Sequence, residues 1–393
     1  MTTTPLTNTS GRLTTIDLLR GLTMLLMLLV NDYAGVRGLP HWFYHAASNE
    51  DMLGISDIVF PAFLFALGLS IPFALQKRIE RGDSLLSTTG HILLRSAALV
   101  VMGLFTVNLE NYGGGPLSYP VWEVLMIVGF FLVWNDYPRT DKPARKGLWW
   151  VLRAIGVALL FTLFLLYEGH EGAPFQQHWW GILGLIGWTY LVCALLYMVV
   201  RRSLWIAIGV WALVVLLAFL QHSGISPLSF VPSDWTLHAF GMTGIVVSMH
   251  LRHTSAKGKS PKQFIVILCV AAVVMLVGYF LCHPHWIISK IQATPTWFCL
   301  CLAIFLPAVA LIYALTDMRG KHHIPRWIAP AGSATLTCYM IPYLWYGIDS
   351  LLGIPHPAAL WHGAPGFFRA LIFAFLCVWI AGALSKVKIK LKL

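Results

Sequence analysis

Apolar residues are gathered into twelve long segments, and this arrangement limits the chain more than any single motif. A helix that crosses a hydrocarbon core of about 30 Å needs about 20 apolar residues. The segments are Thr14–Val30, Ser56–Gln76, Thr88–Asn108, Tyr119–Asn135, Gly147–Tyr167, Trp179–Val200, Ser203–Gln221, Leu237–Leu251, Gln263–Cys282, Thr296–Thr316, Trp327–Tyr346 and Phe367–Leu384. The sequence therefore predicts about 12 transmembrane helices, of which the fourth and the eighth are short.

Composition leads to the same class. Of the 393 residues, 58% are hydrophobic and 11% are charged, and the mean hydropathy is +0.73. Soluble domains have about 45–50% apolar and about 25% charged residues. The fold class predicted is an all-α polytopic membrane protein, with residues 1–393 forming one transmembrane domain.

The formal charge of +11 raises the question of nucleic acid as a partner. Basic residues also collect in the cytoplasmic connectors of membrane proteins. Of the 27 basic residues, only Arg37, Lys290 and Arg369 fall on the opposite side when alternate connectors are taken as cytoplasmic. This pattern favours a membrane protein with both termini in the cytoplasm and no nucleic-acid partner. Residues 1–13 and the basic residues 386–393 are then cytoplasmic tails.

The seven cysteines give no sign of a disulfide framework or of a spaced thiolate metal site. They lie in apolar segments or at their ends, as small hydrophobic residues do. They are Cys193, Cys269, Cys282, Cys299, Cys301, Cys338 and Cys377. No metal site is predicted.

The connector between the first two segments is long and polar for its position. Its sequence, NDYAGVRGLPHWFYHAASNEDMLGISDIVFP, begins at Asn31 and ends at Pro61. A histidine near a carboxylate can act as a general base, and His45 and His41 both qualify. Each could equally be a surface histidine in an interfacial loop. Asp57 could cap the second helix or could orient a histidine.

The first helix also carries charges. Asp17 and Arg20 are three residues apart, so they share one helix face. They could pair and extend towards the membrane surface, or Asp17 could point into the helix bundle and serve a function. Both readings remain open from the residues alone.

Several stretches resemble a known family. They are RLTTIDLLRG, VND, HAASNEDMLGISDIVFPAFLFALG, GPLSYPVWEVLMIVGFFLVWNDYP, IISKIQATPTW and PAGSATLTCYMIPY. Together they resemble the transmembrane acyltransferase family of lysosomal heparan-α-glucosaminide N-acetyltransferase, and within it the bacterial NagX-like members. The resemblance implies transfer of the acetyl group of cytoplasmic acetyl-CoA to the amine of a glucosamine-type sugar across the membrane.

The resemblance also implies roles for individual residues. The active-site histidine of the family falls on His45, its preceding asparagine on Asn31 and its span-opening aspartate on Asp57. The acid and the arginine of its first helix fall on Asp17 and Arg20. Residues 31–55 would then form a non-cytoplasmic active-site loop.

A mechanism can be predicted on this basis. His45 would be the general base, Asn31 would donate a hydrogen bond to the oxyanion, and Asp57 or Asp32 would hold the tautomer of His45. The phosphates of the co-substrate acetyl-CoA would meet cations such as Arg20, Arg95 or Arg153.

Other functions remain open at this point. One alternative is an amino-sugar transporter of the inner membrane, and another is an O-acetyltransferase acting on a glycan of the cell envelope. Transfer could pass through an acetyl-His45 intermediate or go directly to the acceptor. The expected location is the bacterial inner membrane, with the lipid bilayer, acetyl-CoA and an amino-sugar acceptor as partners; a homodimer is left open.

Overall fold

The protein is almost entirely helical. The structure is a computed structural model that describes residues 13–225, 228, 230–321 and 323–393. The predicted N-terminal tail, apart from Leu13, lies outside the described residues. In the described part the helices are α1 (Thr14–Tyr33), α2 (Ile55–Glu80), α3 (Leu85–Glu110), α4 (Tyr119–Trp134), α5 (Pro143–Leu165), α6 (Ile182–Val200), α7 (Leu204–His222), α8 (Trp235–Ala256), α9 (Pro261–Cys282), α10 (Pro295–Leu315), α11 (Ala329–Ser333), α12 (Thr335–Leu352) and α13 (Gly363–Lys386).

Each of the twelve predicted segments falls on a helix. Within the described ranges, nine helices are long and apolar enough to cross a membrane, and α4 is apolar but shorter. The class of all-α polytopic membrane protein is therefore confirmed, whereas the count of twelve spans and the side of each terminus stay predictions. The eleventh predicted segment is broken at Ala334, where α11 ends and α12 begins.

The chain divides into two compact units that are each discontinuous in sequence. The first contains Pro40–Ser96, Ile186–Pro325 and the described residues up to Thr23. The second contains Met24–Leu39, Ala97–Leu185 and Arg326–Leu393. Because the chain passes from one unit to the other several times, no shift in composition marks a boundary between them.

In the first unit α2 and α8 pack with their backbones in contact. A Cβ atom on Gly68 would lie 2.0 Å from the carbonyl oxygen of Gly241, and one on Gly244 would lie 2.2 Å from that of Phe65. The hydroxyl of Ser248 donates to the carbonyl of Leu69 at 2.5 Å. Small residues permit this close packing of transmembrane helices.

The helices of this unit differ in what covers them. Most residues of α8 are buried in protein, including Thr236, His238 and Ser248. In α9 only 11% of the most apolar 18-residue stretch is buried, and its mean hydropathy is 3.0. A helix enclosed by protein can carry polar residues, whereas one that faces lipid must be apolar. This explains why α8 is the less obvious span in the sequence.

The amino end of α1 is held by a side chain from far along the chain. Asp317 accepts hydrogen bonds from the backbone amides of Thr14 at 3.1 Å and Thr15 at 2.7 Å. The hydroxyl of Thr15 donates to the same carboxylate. A carboxylate is the preferred partner for free amides at a helix start.

In the second unit α4 packs on α5 and on α12, and α12 packs on α13. A small antiparallel sheet, which the sequence does not predict, joins β1 (Tyr112–Gly114) to β2 (Glu168–Gly169). It satisfies backbone groups in two of the predicted outer connectors.

Candidate active site

The connector between α1 and α2 is irregular and belongs largely to the first unit. It runs from the end of α1 at Tyr33 to the start of α2 at Ile55, with one short 3-10 turn at His41–Phe43. These limits match the predicted loop 31–55 within a few residues. Ser56 joins the start of α2 to the 3-10 turn, because its hydroxyl donates to the carbonyl of Phe43 at 2.6 Å.

His45 and Asp57 form a hydrogen-bonded pair. Oδ1 of Asp57 lies 2.7 Å from Nδ1 of His45, and the side chains are 1% and 41% exposed, respectively. Thus the buried carboxylate of Asp57 is hydrogen-bonded to an imidazole that remains accessible to solvent. Of the two carboxylates predicted to orient His45, Asp57 makes this contact.

Backbone groups fix Asp57 in place. Its Oδ2 accepts from the amide of Ala46 at 3.0 Å and from that of Gly54 at 3.2 Å. The indole of Trp297, in α10, donates to the backbone carbonyl of Asp57 at 3.2 Å. Since both carboxylate oxygens are engaged, the ring of His45 has a defined orientation. Asp57 thus caps α2 and orients His45 at the same time.

Gly54 is required by this arrangement. A Cβ atom at this position would lie 2.1 Å from the carbonyl oxygen of Tyr44 and 3.1 Å from Oδ2 of Asp57. Only a residue without a side chain allows the loop to close over the start of α2.

A second loop, residues 283–294 between α9 and α10, is bonded to the connector. Asp51 accepts from the amide of Ile288 at 2.8 Å, and its other oxygen lies 2.8 Å from Nε2 of His283. The carbonyl of Ser48 accepts from the side chains of Gln292 at 2.6 Å and Ser289 at 3.2 Å. The hydrogen bonds from the Ile288 amide and from His283 lower the pKa of Asp51.

Lys290 brings a cation from this second loop to the histidine. Its Nζ lies 3.2 Å from Nδ1 and 3.5 Å from Nε2 of His45. Burial lowers the pKa of Lys290, and the carboxylate of Asp57 opposes this effect. Sequence analysis did not select Lys290. A signal was present, because it is one of three basic residues outside the predicted cytoplasmic connectors.

The second predicted histidine has its own partner. Nε2 of His41 lies 2.6 Å from Glu50, whose other oxygen accepts from the amide of Ala47 at 3.1 Å. These contacts lower the pKa of Glu50, the hydrogen bond from His41 contributing most. The pair is exposed and closes the tip of the connector.

Two predicted site residues belong to the second unit. Asn31 is exposed near the end of α1. Asp32 is buried and forms an ion pair with Arg369 of α13 at 2.9 Å, while the hydroxyl of Tyr346 donates to it. The guanidinium of Arg369 also stacks on Trp361 at 4.0 Å. The contacts described for Asp32 are therefore with α12 and α13, and its predicted role at His45 stays a prediction.

The remaining predicted residues are spread over the molecule. Asp17 is buried and Arg20 is half-buried in the first unit, and both have interaction partners. Arg95, also in the first unit, stacks on Tyr190 at 4.7 Å. Arg153, in the second unit, lies over the rings of Tyr137 at 5.2 Å and Trp150 at 5.5 Å.

Arg95 has a basic neighbour, Arg78, that sequence analysis did not select. Both guanidinium groups act electrostatically on His91 and on Tyr190. Arg78 pairs with Asp83 at 3.0 Å. The Nε atoms of Arg78 and Arg95 are buried without a hydrogen-bond partner. We call Arg78 and Arg95 the arginine cluster; orphaned guanidinium donors of this kind suit an anion.

Metal ligands are not grouped in the part of the chain that the structure describes. No three histidine, cysteine, aspartate or glutamate side chains there lie close enough together to hold an ion. The chemistry open to His45, with Nδ1 facing a carboxylate, is proton transfer at Nε2 or nucleophilic attack.

Comparison with known proteins agrees with the resemblance described above. The family model described as a domain of unknown function, DUF5009, matches residues 12–242, which is more than half of the chain. The chain belongs to this family. Heparan-alpha-glucosaminide N-acetyltransferase of Mus musculus is 38% identical over 122 residues, 31% of this chain and 17% of that protein. The Homo sapiens protein of the same name is 39% identical over 118 residues, 30% of this chain and 16% of that protein.

The predicted membership in the acyltransferase family of heparan-α-glucosaminide N-acetyltransferase is thereby confirmed. The matched stretches span about one sixth of the length of these curated relatives, at 17% and 16%. Within the DUF5009 match lie the connector, His45 and Asp57. Lys290 lies beyond it.

Proposed function

We propose that this protein is a membrane N-acetyltransferase that moves the acetyl group of acetyl-CoA to the amine of a glucosamine-type sugar. The observation that carries the proposal is the 2.7 Å contact between accessible His45 and buried Asp57. It lies in a chain whose two similar curated proteins are named as N-acetyltransferases of a glucosaminide. The expected location is the bacterial inner membrane.

His45 acts as the general base in this proposal. With the Nδ1 proton donated to Asp57, Nε2 carries the lone pair and takes a proton from the attacking amine. The amine nitrogen adds to the thioester carbon and forms the C–N bond of a tetrahedral intermediate, whose collapse breaks the C–S bond. The proton then passes from Nε2 to the departing CoA sulfur, which returns the imidazole to its neutral state. Asp57 holds the tautomer through both steps.

The arginine cluster supports a phosphate-bearing donor. Its two guanidinium groups, from α2 and α3, have buried Nε atoms without partners. Phosphate oxygens are strong acceptors that match guanidinium geometry. Arg95 was among the residues predicted to bind the donor, and Arg78 joins it here. Arg20 and Arg153 remain predicted contacts.

Asn31 enters the proposal through the family resemblance alone. Its amide would donate to the oxyanion of the tetrahedral intermediate; loss of such a donor costs about 3 kcal/mol of barrier. Asp17 keeps a supporting role on the same ground.

Purified protein in proteoliposomes tests the proposal. Acetyl-CoA and glucosamine should yield N-acetylglucosamine, and His45→Ala should abolish the product. His285→Ala, an exposed histidine on the neighbouring loop, is the matched control and should retain activity. Glucosamine uptake without acetyl-CoA would instead indicate a transporter, and an alkali-labile ester product would indicate an O-acetyltransferase.

A further inference from the structure

We propose that Lys290 is a positioning residue whose positive charge keeps the imidazole of His45 neutral, and therefore able to accept a proton. The catalytic meaning of this inference rests on the proposed function. Its structural basis does not rest on that function: a buried carboxylate and an ammonium both contact one imidazole.

The geometry shows what the ammonium does not do. Nδ1 of His45 is already engaged by Asp57 at 2.7 Å. Nζ of Lys290 is nearly equidistant from the two ring nitrogens, at 3.2 Å and 3.5 Å. A hydrogen bond aimed at one lone pair would be shorter and directed at one nitrogen. We infer that the ammonium acts on the ring through its charge, and that Nε2 stays available to take a proton from the amine of the sugar.

The charges of Asp57 and Lys290 determine which protonation state of His45 is favoured in this proposal. A buried carboxylate beside an imidazole, with no other charge, is neutral overall when the imidazole is protonated. Such an ion pair favours the protonated imidazole, which has no free lone pair with which to accept a proton. With the ammonium added, the set of Asp57, His45 and Lys290 is neutral when the imidazole is unprotonated. A proton on His45 would then leave a net positive charge at a partly buried site.

Other titratable groups face this set from the elements around it. Glu50 of the connector acts electrostatically on Asp57 and is itself paired with His41. Cys301 of α10 is buried within electrostatic reach of Asp57. Glu50 is engaged by the ring of His41 and by the amide of Ala47, whereas the ammonium of Lys290 contacts His45 itself. Lys290 therefore supplies the positive charge that compensates Asp57.

The loop around Lys290 is built to hold it. The amide of Thr294 donates to the carbonyl of Ser289 at 3.1 Å, and the hydroxyl of Thr294 donates to the carbonyl of Ile287 at 2.8 Å. Ala293 has a positive φ of 51° within this turn. Asp51 anchors the neighbouring Ile288. The backbone from which Lys290 extends is therefore fixed on both sides, and its Nζ lies 3.2 Å from Nδ1 of His45.

Chemical modification tests the inference without relying on acetyl transfer. Diethyl pyrocarbonate reacts with neutral imidazole, so the rate at which the His45 peptide is modified, followed by mass spectrometry between about pH 5 and pH 9, reports its protonation. Lys290→Met should move the midpoint up by about one unit or more, a roughly tenfold slower modification on the acidic side. Lys290→Arg should keep the wild-type midpoint. Lys257→Met, which removes an exposed lysine at the end of α8, should also keep it.

Kinetics supply the second readout. In Lys290→Met, kcat/KM should fall about tenfold at pH values below both midpoints and recover at alkaline pH, whereas Lys290→Arg should stay close to wild type. A loss that is equal at every pH, or an unchanged modification midpoint, would overturn the inference. A shifted midpoint in a protein that transfers no acetyl group would uphold the inference and refute the proposed function.

Discussion

Asp57 supports His45 from the first turn of α2, with its Oδ1 2.7 Å from Nδ1 of the ring. Because Oδ2 is bonded to two backbone amides, the orientation of the imidazole depends on one side chain. Asp57→Asn should keep the loop folded yet favour the wrong tautomer. We expect kcat to fall by at least about 10²-fold. The measurement is acetyl transfer in proteoliposomes, alongside gel filtration to confirm folding; a fall of less than about twofold would refute the role.

Gly54 offers a test of the loop's closure over α2. In Gly54→Ala the new methyl group would overlap the carbonyl of Tyr44, so the loop must shift. Thermal stability and acetyl transfer should both decrease. Gly209→Ala is the matched control, since nothing lies within 4 Å of a Cβ there. Because Gly209 lies inside a helix, Gly209→Ala should leave the free energy of unfolding unchanged or raise it by up to about 1 kcal/mol. Equal melting temperatures for the two variants would contradict the assignment.

Asp51 links the two loops in a pH-dependent manner. Its pKa is lowered from an ordinary value near 3.8 by the Ile288 amide and by His283. A carboxyl group whose pKa is lowered by folding stabilises the protein above its unfolded pKa, and this contribution disappears as pH falls through the folded pKa. Asp51→Asn should therefore reduce the melting temperature at neutral pH. The difference from wild type should shrink below about pH 4, and a difference that grows there would refute the linkage.

The arginine cluster predicts a defect specific to the donor. Arg95→Gln should raise KM for acetyl-CoA about tenfold, because a phosphate contact is lost. It should leave KM for S-acetylpantetheine, which lacks phosphates, unchanged. Arg202→Gln, an exposed arginine of the same unit, is the control. Equal effects of Arg95→Gln on both donors would show that the cluster does not bind phosphate.

The route of the acetyl group can be followed in a single turnover. With [¹⁴C]acetyl-CoA and no sugar, label retained on the protein and absent from His45→Ala would show an acetyl-imidazole intermediate. Direct transfer predicts no retained label but loss of product in the same variant. Lys290→Arg serves as a folded comparison with the active-site charge unchanged.

The helices could be predicted from the sequence wherever a single segment is apolar along its whole length. All twelve apolar segments became helices, because runs of apolar residues report lipid exposure locally. The predicted eighth segment, Leu237–Leu251, was too short. The true helix is Trp235–Ala256, whose amino end is buried in protein and whose carboxyl end is polar and only partly buried. The eleventh segment did not reveal its break at Ala334, since a bend of this kind depends on neighbouring helices.

In the candidate site, contacts between residues close in sequence could be predicted, and contacts between distant residues could not. His45 and Asp57 are twelve positions apart, so the single polar stretch Asn31–Pro61 contains both and the pair could be predicted. Lys290 is 245 positions from His45, and Arg369 is 337 from Asp32. Spacing within a sequence says nothing of such contacts, which arise only when loops or helices meet. The scarcity of basic residues on the predicted outer side pointed to both Lys290 and Arg369 without naming their partners.

The buried ion pair between Asp32 and Arg369 places a constraint on biosynthesis. Asp32 at the end of α1 is synthesised 337 positions before its partner Arg369 in α13. Until Arg369 has been inserted, the carboxylate of Asp32 must be held by water, lipid headgroups or insertion machinery, because an unpaired charge within a membrane is expensive. The packing of α13 on this part of the fold and the neutralisation of the end of α1 are therefore one event.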